Sequence, residues 1–154
     1  MKIESMELVG FVVHDLDRAV AKYSALFGVE FRSFTAGVDY ELVYEDDEAD
    51  TSAPSLPDQV RLAMDTTGLF EIVEVPGARE GFRNVHFRVD DIEAVAAHFT
   101  AQGARLVARL RAGTVREFIF DAADLHGIRV CLVEYEGASF AEALDASPAA
   151  TGRH

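Results

Sequence analysis

Five side chains capable of chemistry lie on three predicted strands of this chain. Glu71 lies in GLFEIVEV, Asn84, His86 and Arg88 alternate in NVHFRV, and Cys131 lies in RVCLVE. Because side chains alternate across a strand, the three in NVHFRV share one face. Burial in an apolar pocket raises a carboxylate's pKa towards neutrality, where histidine already titrates. We therefore predict Glu71 and His86 as catalytic acid–base residues.

The other candidates are predicted to bind substrate. Arg88 could hold an anionic group through two parallel hydrogen bonds, and Asn84 could donate to a developing enolate oxygen. The rest of the predicted substrate-binding set is Cys131, Tyr40, Arg116 and Phe118. Together these residues suit metal-free proton transfer next to a carbonyl, which would give epimerisation, isomerisation or β-elimination.

Each of the main candidates also has a purely structural interpretation. Glu71 could form an ion pair with Arg88, and His86 could be a hydrogen-bonded core histidine. Cys131 could fill space as a small buried apolar group, as many lone cysteines do. The sequence leaves these alternatives open.

A repeat indicates which elements position these residues. Residues 8–28 read LVGFVVHDLDRAVAKYSALFG, and residues 84–103 read NVHFRVDDIEAVAAHFTAQG. Each copy has an apolar strand, a capping aspartate (Asp15 or Asp91), a helix with apolar residues at helical spacing, and a closing glycine. Two strand–helix units in one short chain predict a duplicated fold with a cavity shared by its halves.

Periodicity and turn residues predict the remaining elements. The first module, 6–75, would contain strands at 6–13, 29–35, 38–44, 60–65 and 69–75 around a helix that follows Asp15. The second, 83–135, would contain strands at 83–89, 104–110, 114–121 and 128–134 and a helix at 91–102. A linker at 76–82 would join them in one domain, 1–136. The polar segment 45–59 is predicted as a loop, either a lid or a mobile insertion.

The C-terminal segment 137–154 is predicted as a short helix followed by a disordered tail. Ser139 and Glu142 have the spacing of a capping box, and the last ten residues lack an apolar pattern.

Composition excludes several classes of protein. The chain has 154 residues, 49% of them hydrophobic, which is long and apolar enough for one globular core. Its net charge of −13 argues against binding to nucleic acid or to anionic membranes. No apolar run is long enough to span a membrane. A single cysteine precludes an internal disulfide, so a cytoplasmic location is predicted.

The βαβββ order, present twice, with V-x-D-[LI]-[DE] opening each helix, resembles the vicinal oxygen chelate superfamily over residues 6–135. The resemblance implies an α+β fold of two tandem βαβββ modules, each a half-barrel lining a small-molecule pocket. It also implies a homodimer. Enzymes of this superfamily hold a metal on four strand positions, which fall here on Leu8, Glu71, Asn84 and Cys131.

Two of those four residues are poor metal ligands, so we predict no metal and no cofactor. Leu8 cannot bind a metal, and catalytic zinc generally needs three protein ligands. An atypical site made of Glu71, His86 and Cys131 remains an alternative.

Three functional hypotheses follow. The first is a metal-independent isomerase or lyase that transfers a proton on a small carbonyl metabolite. The second is a non-catalytic protein that sequesters a ligand, such as a cationic antibiotic. The third is a metal-dependent glyoxalase-like or epimerase-like enzyme with an atypical site.

Overall fold

A computed structural model describes residues 1–45 and 60–146 of the chain. The strands are β1 Ile3–Val13, β2 Phe31–Thr35, β3 Glu41–Tyr44, β4 Arg61–Asp65, β5 Phe70–Glu74, β6 Gly81–Val89, β7 Leu106–Ala112, β8 Val115–Phe120 and β9 Arg129–Glu134. The helices are α1 Leu16–Phe27, α2 Ile92–Ala101 and α3 Phe140–Asp145, with a short 3-10 turn at Ala122–Leu125. The predicted loop 45–59, beyond its first residue, and the end of the predicted tail lie outside the described residues.

The repeated helices begin where the capping aspartates predict. The Asp15 carboxylate accepts a hydrogen bond from the Arg18 amide at 3.0 Å, and Asp91 accepts one from the Ala94 amide at 3.0 Å. Gly28 follows α1 with φ of 66°, a backbone conformation that favours glycine. The repeat thus identified both helix starts.

The strands form one sheet in the order β2-β4-β5-β1-β6-β9-β8-β7-β3. The two halves meet where β1 pairs with β6 in antiparallel register, for example Leu8 with His86. The modules therefore pair within one chain. This confirms the predicted α+β fold of two joined modules.

The path of the chain between β2 and β3 requires the sheet to curl. These are its two edge strands, yet only residues 36–40 connect them. Nine flat strands would place the edges about 38 Å apart, whereas a five-residue connection spans at most about 20 Å. The edges must approach each other, so the sheet wraps around an interior.

Strand β3 does not join the strands of its own module. It pairs with β7 of the second module, from Glu41 opposite Arg111 to Tyr44 opposite Ala108. The βαβββ pattern assigns four strands to each module, and β3 is an additional strand that links the first module to the far edge of the second.

The curled sheet has an inner and an outer apolar layer. Helices α1 and α2 cover the outer face, where the second-module cluster includes Val95 of α2 and Phe120 of β8. The inner cluster joins strand residues such as Leu8 and Val133 to Phe140 and Leu144 of α3. The predicted C-terminal helix therefore contributes to the interior of the fold. No helix in the described part of the chain is long and apolar enough to cross a membrane.

Candidate active site

A cavity of about 60 Å³ lies inside the curled sheet. Its wall includes aliphatic side chains from both modules, such as Leu42, Leu62 and Leu110. Its polar lining consists of Tyr40, Glu71, Arg83, Asn84, Glu117 and Arg129. An apolar cavity with a few converging polar groups is the usual form of a small-molecule site.

Gly10 makes room for the contact between Asn84 and Glu71. In β1 it is paired with Glu71 of β5 on one side and with Asn84 of β6 on the other. A Cβ atom on Gly10 would lie 1.7 Å from the Asn84 Oδ1 atom, so only glycine leaves space for that amide. The Asn84 Nδ2 group donates a hydrogen bond to Glu71 Oε2 at 3.1 Å, and this bond fixes the carboxyl group.

His86 connects two carboxyl groups from opposite modules. Its Nε2 atom lies 3.0 Å from Glu117 Oε1 and 3.4 Å from Glu71 Oε2. Cys131 is the register partner of His86 on the adjacent parallel strand β9. His86, Glu71, Glu117 and Cys131 are all buried, with His86 only 1% exposed. These four residues form a buried cluster of titratable groups.

Burial and mutual charge control protonation in this cluster. Burial raises the pKa of Glu71, and the Glu117 carboxyl raises it further, against the opposing effect of His86. Burial alone would lower the pKa of His86, but Cys131, Glu117 and Glu71 raise it well above its usual value. Burial raises the pKa of the Cys131 thiol to about 11. The arrangement favours a neutral thiol, a protonated imidazole and a Glu71 carboxyl group that keeps its proton to a higher pH than usual.

The structure brings together Glu71, Asn84, His86 and Cys131, as the strand pattern predicts, although their functional roles remain predictions. Tyr40 also lines the cavity, and its hydroxyl donates to the Val60 carbonyl at 2.9 Å.

Four of the predicted substrate-binding residues do not line the cavity: Cys131, which is buried beside His86, and Arg88, Arg116 and Phe118. Arg88 shares the inner face but lies further along β6, where it pairs with Glu4 at 3.3 Å and stacks over the Tyr135 ring. The predicted alternative of a Glu71–Arg88 ion pair is therefore wrong. Phe118 packs in the outer cluster with α2, and Arg116 pairs with Glu134 at 3.1 Å.

Glu117, Arg83 and Arg129 line the cavity but were not predicted as site residues. The prediction took Phe118 as facing the cavity, whereas Phe118 and Phe120 both pack on the outer face of β8 under α2. Strict alternation then places Glu117 inside, and that signal was available in the sequence VREFIF.

The metal positions implied by the family resemblance do not match a complete ligand set here. Leu8 offers no ligand atom, and Asn84 donates its amide to Glu71. A second set does fit the chemistry of zinc, because His86, Glu117 and Cys131 place a nitrogen, an oxygen and a sulfur within 4.8 Å of one another. Such a donor set meets the three-ligand requirement of catalytic zinc, and it differs from the predicted alternative site in having Glu117 in place of Glu71.

Comparison with known proteins agrees with the architecture. The sequence model of the glyoxalase/bleomycin resistance protein/dioxygenase superfamily matches residues 9–120. No curated protein matches the chain.

Several solved structures share the fold. A Streptomyces coelicolor methylmalonyl-CoA epimerase variant in complex with 2-nitronate-propionyl-CoA has a TM-score of 0.57 and 22% identity, covering 90% of this chain and 99% of that chain. The Mycobacterium tuberculosis methylmalonyl-CoA epimerase has a TM-score of 0.56 and 21% identity, covering 88% of this chain and 90% of that chain. A hypothetical protein from Bacillus halodurans has a TM-score of 0.57 and 14% identity, covering 88% and 96%. At these identities the likeness concerns the fold.

Proposed function

The chain belongs to the glyoxalase/bleomycin resistance protein/dioxygenase superfamily, and on this basis we propose that it catalyses proton transfer at a carbon next to a carbonyl group. One observation carries the proposal: Glu71 and Glu117 line the same cavity and both approach His86 Nε2. Two carboxyl groups joined through one imidazole can accept a proton at one point and supply a proton at another.

The proposed reaction moves one proton and changes no oxidation state. The Glu71 carboxylate removes the proton α to the carbonyl, and the electron pair of that C–H bond moves onto the carbonyl oxygen. An amide hydrogen of Asn84 donates to the enolate oxygen that forms. His86 passes a proton to Glu117, which returns it to the carbon, and the proton taken by Glu71 then passes to His86 and restores the starting state. The product is an epimer or an isomer of the substrate.

Three features support this chemistry. The raised pKa of Glu71 suits a group that exchanges protons near neutral pH. Two of the solved structures that share the fold are epimerases, which belong to the same reaction class. The cavity of about 60 Å³ suits the reacting end of a small substrate.

Solvent deuterium exchange tests the proposal directly. The protein is incubated in D₂O with a panel of small 2-substituted carbonyl acids and thioesters, including methylmalonyl-CoA, and exchange at the α-carbon is followed by NMR. Glu71→Gln is expected to slow exchange by at least about 100-fold, the usual contribution of a positioned base.

Glu41→Gln is the matched control, because Glu41 is an exposed acid on β3 outside the cavity lining. It should exchange at the wild-type rate. Circular dichroism should show the same fold in both variants. Exchange by Glu71→Gln at the wild-type rate would refute the assignment of Glu71 as the base.

A second candidate function is metal-dependent, and the cluster of His86, Glu117 and Cys131 favours it. A zinc ion there would supply Lewis-acid polarisation of a carbonyl oxygen. The test is metal analysis of protein purified without chelator, together with Cys131→Ser. Stoichiometric zinc that falls sharply in the variant would support this function over the metal-independent one.

The predicted lyase chemistry, homodimer and cytoplasmic location remain part of this proposal. They follow from the family resemblance and the composition. Deuterium exchange without a change in substrate connectivity would separate isomerase from lyase chemistry.

A further inference from the structure

Two arginines line the cavity, although the chain as a whole is strongly acidic. Arg83 and Arg129 are both partly buried and both contribute to the cavity wall beside Glu71 and Asn84. The net charge of the chain is −13, yet the lining of this cavity has as many arginines as glutamates. Two neighbouring cations can attract and orient an anion.

A β-bulge brings Arg83 to the cavity. In the pairing of β1 with β6, Gly10 is opposite Asn84 and Phe11 is opposite Phe82, which leaves Arg83 as an extra residue. Strict alternation would direct Arg83 and Asn84 to opposite faces, but both line the cavity. Bulges commonly redirect a side chain near a functional site.

Arg129 reaches the same wall from the neighbouring strand. It is the register partner of Asn84 in the parallel pairing of β6 with β9. Its Nε atom is buried and has no hydrogen-bond partner among the described residues. A buried donor without a partner is costly, and a ligand acceptor would satisfy it.

Among the described residues, the acids of the cavity lie beyond ion-pair distance of these cations. Within residues 1–45 and 60–146, neither Arg83 nor Arg129 forms an ion pair, whereas Arg109 and Arg116 on the second module are each paired with glutamates. Burial and the charge of Arg129 lower the pKa of Arg83 to about 10, which still leaves the Arg83 guanidinium group charged at neutral pH. The cavity therefore has acids on one part of its wall and unpaired cations on another.

We propose that Arg83 and Arg129 form an oxyanion-binding subsite that restricts the substrate to carbonyl compounds carrying a carboxylate or a phosphate group. The anionic group binds the two guanidinium groups, with Arg129 Nε donating to one oxygen. The α-carbon then lies next to Glu71.

This inference deepens the proposed function, but its binding test does not depend on turnover. Isothermal titration of the full-length protein uses malonate as the carboxylate probe, inorganic phosphate as the phosphate probe and malonamide as the neutral isostere. Wild-type protein should bind one or both anions and not malonamide. Binding should weaken as salt is added, because the contacts are ionic. The anion that binds more tightly shows whether the subsite prefers a carboxylate or a phosphate group.

Arg129→Gln and Arg83→Gln should each weaken binding of the preferred anion about 10- to 100-fold, as expected for lost charged hydrogen bonds. Arg111→Gln is the matched control, because Arg111 is an exposed arginine of β7 outside the cavity. It should bind the anion as the wild type does. The comparison of malonate with malonamide on the wild type remains valid if a variant folds poorly.

Equal affinity for malonate and malonamide, no binding of either anion, or unchanged binding in both cavity variants would overturn the subsite. Failure of the proposed function would give a different result. Glu71→Gln would then retain deuterium exchange, while the arginine variants would still lose anion binding. In turnover, the arginine variants should lose kcat/KM for an acid and not for its neutral amide.

Discussion

The pKa of His86 depends on three neighbouring side chains. Glu71, Glu117 and Cys131 each raise its pKa, although burial opposes them. A histidine whose folded-state pKa is raised stabilises the fold fully below the unfolded value of 6.5, and loses that contribution as pH rises through the folded-state pKa. Glu71 also makes the fold less stable as pH rises above 4.5, its unfolded-state pKa. Its raised pKa means that the folded state keeps a proton that the unfolded state has already lost.

The free energy of unfolding of metal-free protein is therefore expected to fall as pH rises above 6.5. Urea denaturation at a series of pH values measures this slope. His86→Gln should flatten it, whereas His98→Gln, on the exposed side of α2, should leave it unchanged. The same slope in the wild type and His86→Gln would contradict the assigned direction of the shift.

Cys131 is expected to be inert in the folded protein. It is 0% exposed, and burial raises the pKa of its thiol to about 11. At pH 8 only about one thiol in a thousand would be ionised, and the thiolate is the reactive form. An aromatic disulfide reagent should therefore react stoichiometrically in denaturant and hardly at all under native conditions. Rapid reaction of the native protein would show an accessible or ionised thiol.

Residue types alone predicted part of the site. Alternation in NVHFRV placed Asn84 and His86 on one face, and both lie in the cluster. The same rule placed Arg88 on that face. Alternation does not say how far along the strand the cavity extends, so the position of Arg88 outside the cavity lining was not predictable. Arg83 escaped prediction because a bulge breaks the alternation at that point.

At the scale of the element, Gly10 determines how closely β1 can approach the Asn84 amide. Gly10→Ala would place a methyl group 1.7 Å from Asn84 Oδ1, so the amide must move. We expect a loss of about 1–3 kcal/mol in the free energy of unfolding, typical of overpacking, and slower deuterium exchange as Glu71 loses its partner. Chemical denaturation and the NMR exchange assay measure the two effects.

The control is the same substitution in an Asn84→Ala background. With the amide absent, Gly10→Ala should cost much less than in the wild type, which gives a coupling energy between the two positions. An equal cost in both backgrounds would show that the penalty has another origin.

The elements differed in how far the sequence could predict them. Both repeated helices were predictable, since a capping aspartate and a closing glycine act locally. The strand at 38–44 was also predicted, and it corresponds to β3 Glu41–Tyr44. Its pairing with β7 was not predictable, because a four-residue strand carries no information about a partner more than 60 residues away.

At the scale of the whole molecule, the interior depends on both ends of the chain. Leu8 of β1 and Phe140 and Leu144 of α3 belong to one inner cluster, and the Phe140 ring lies 6.2 Å from the His86 ring. Helix α3 therefore packs inside the curled sheet, beside the buried titratable cluster that contains His86. The predicted homodimer concerns a higher level of organisation and stays a prediction.

Phe140→Ala is expected to destabilise the whole fold. Phe140 is 5% exposed, and removal of a buried phenylalanine side chain typically costs about 3–5 kcal/mol. Phe27→Ala is the matched control, because Phe27 is 54% exposed on α1 and should cost much less. Urea denaturation measures both values.

The same substitution should change the pKa of Glu71. Since the Phe140 ring lies beside the His86 ring, its removal should admit water to the cluster and reduce the desolvation that raises the pKa of Glu71. The pH profile of deuterium exchange should then shift to lower pH in Phe140→Ala and not in Phe27→Ala. Equal destabilisation by both variants, with no shift of the profile, would show that α3 is peripheral to the core.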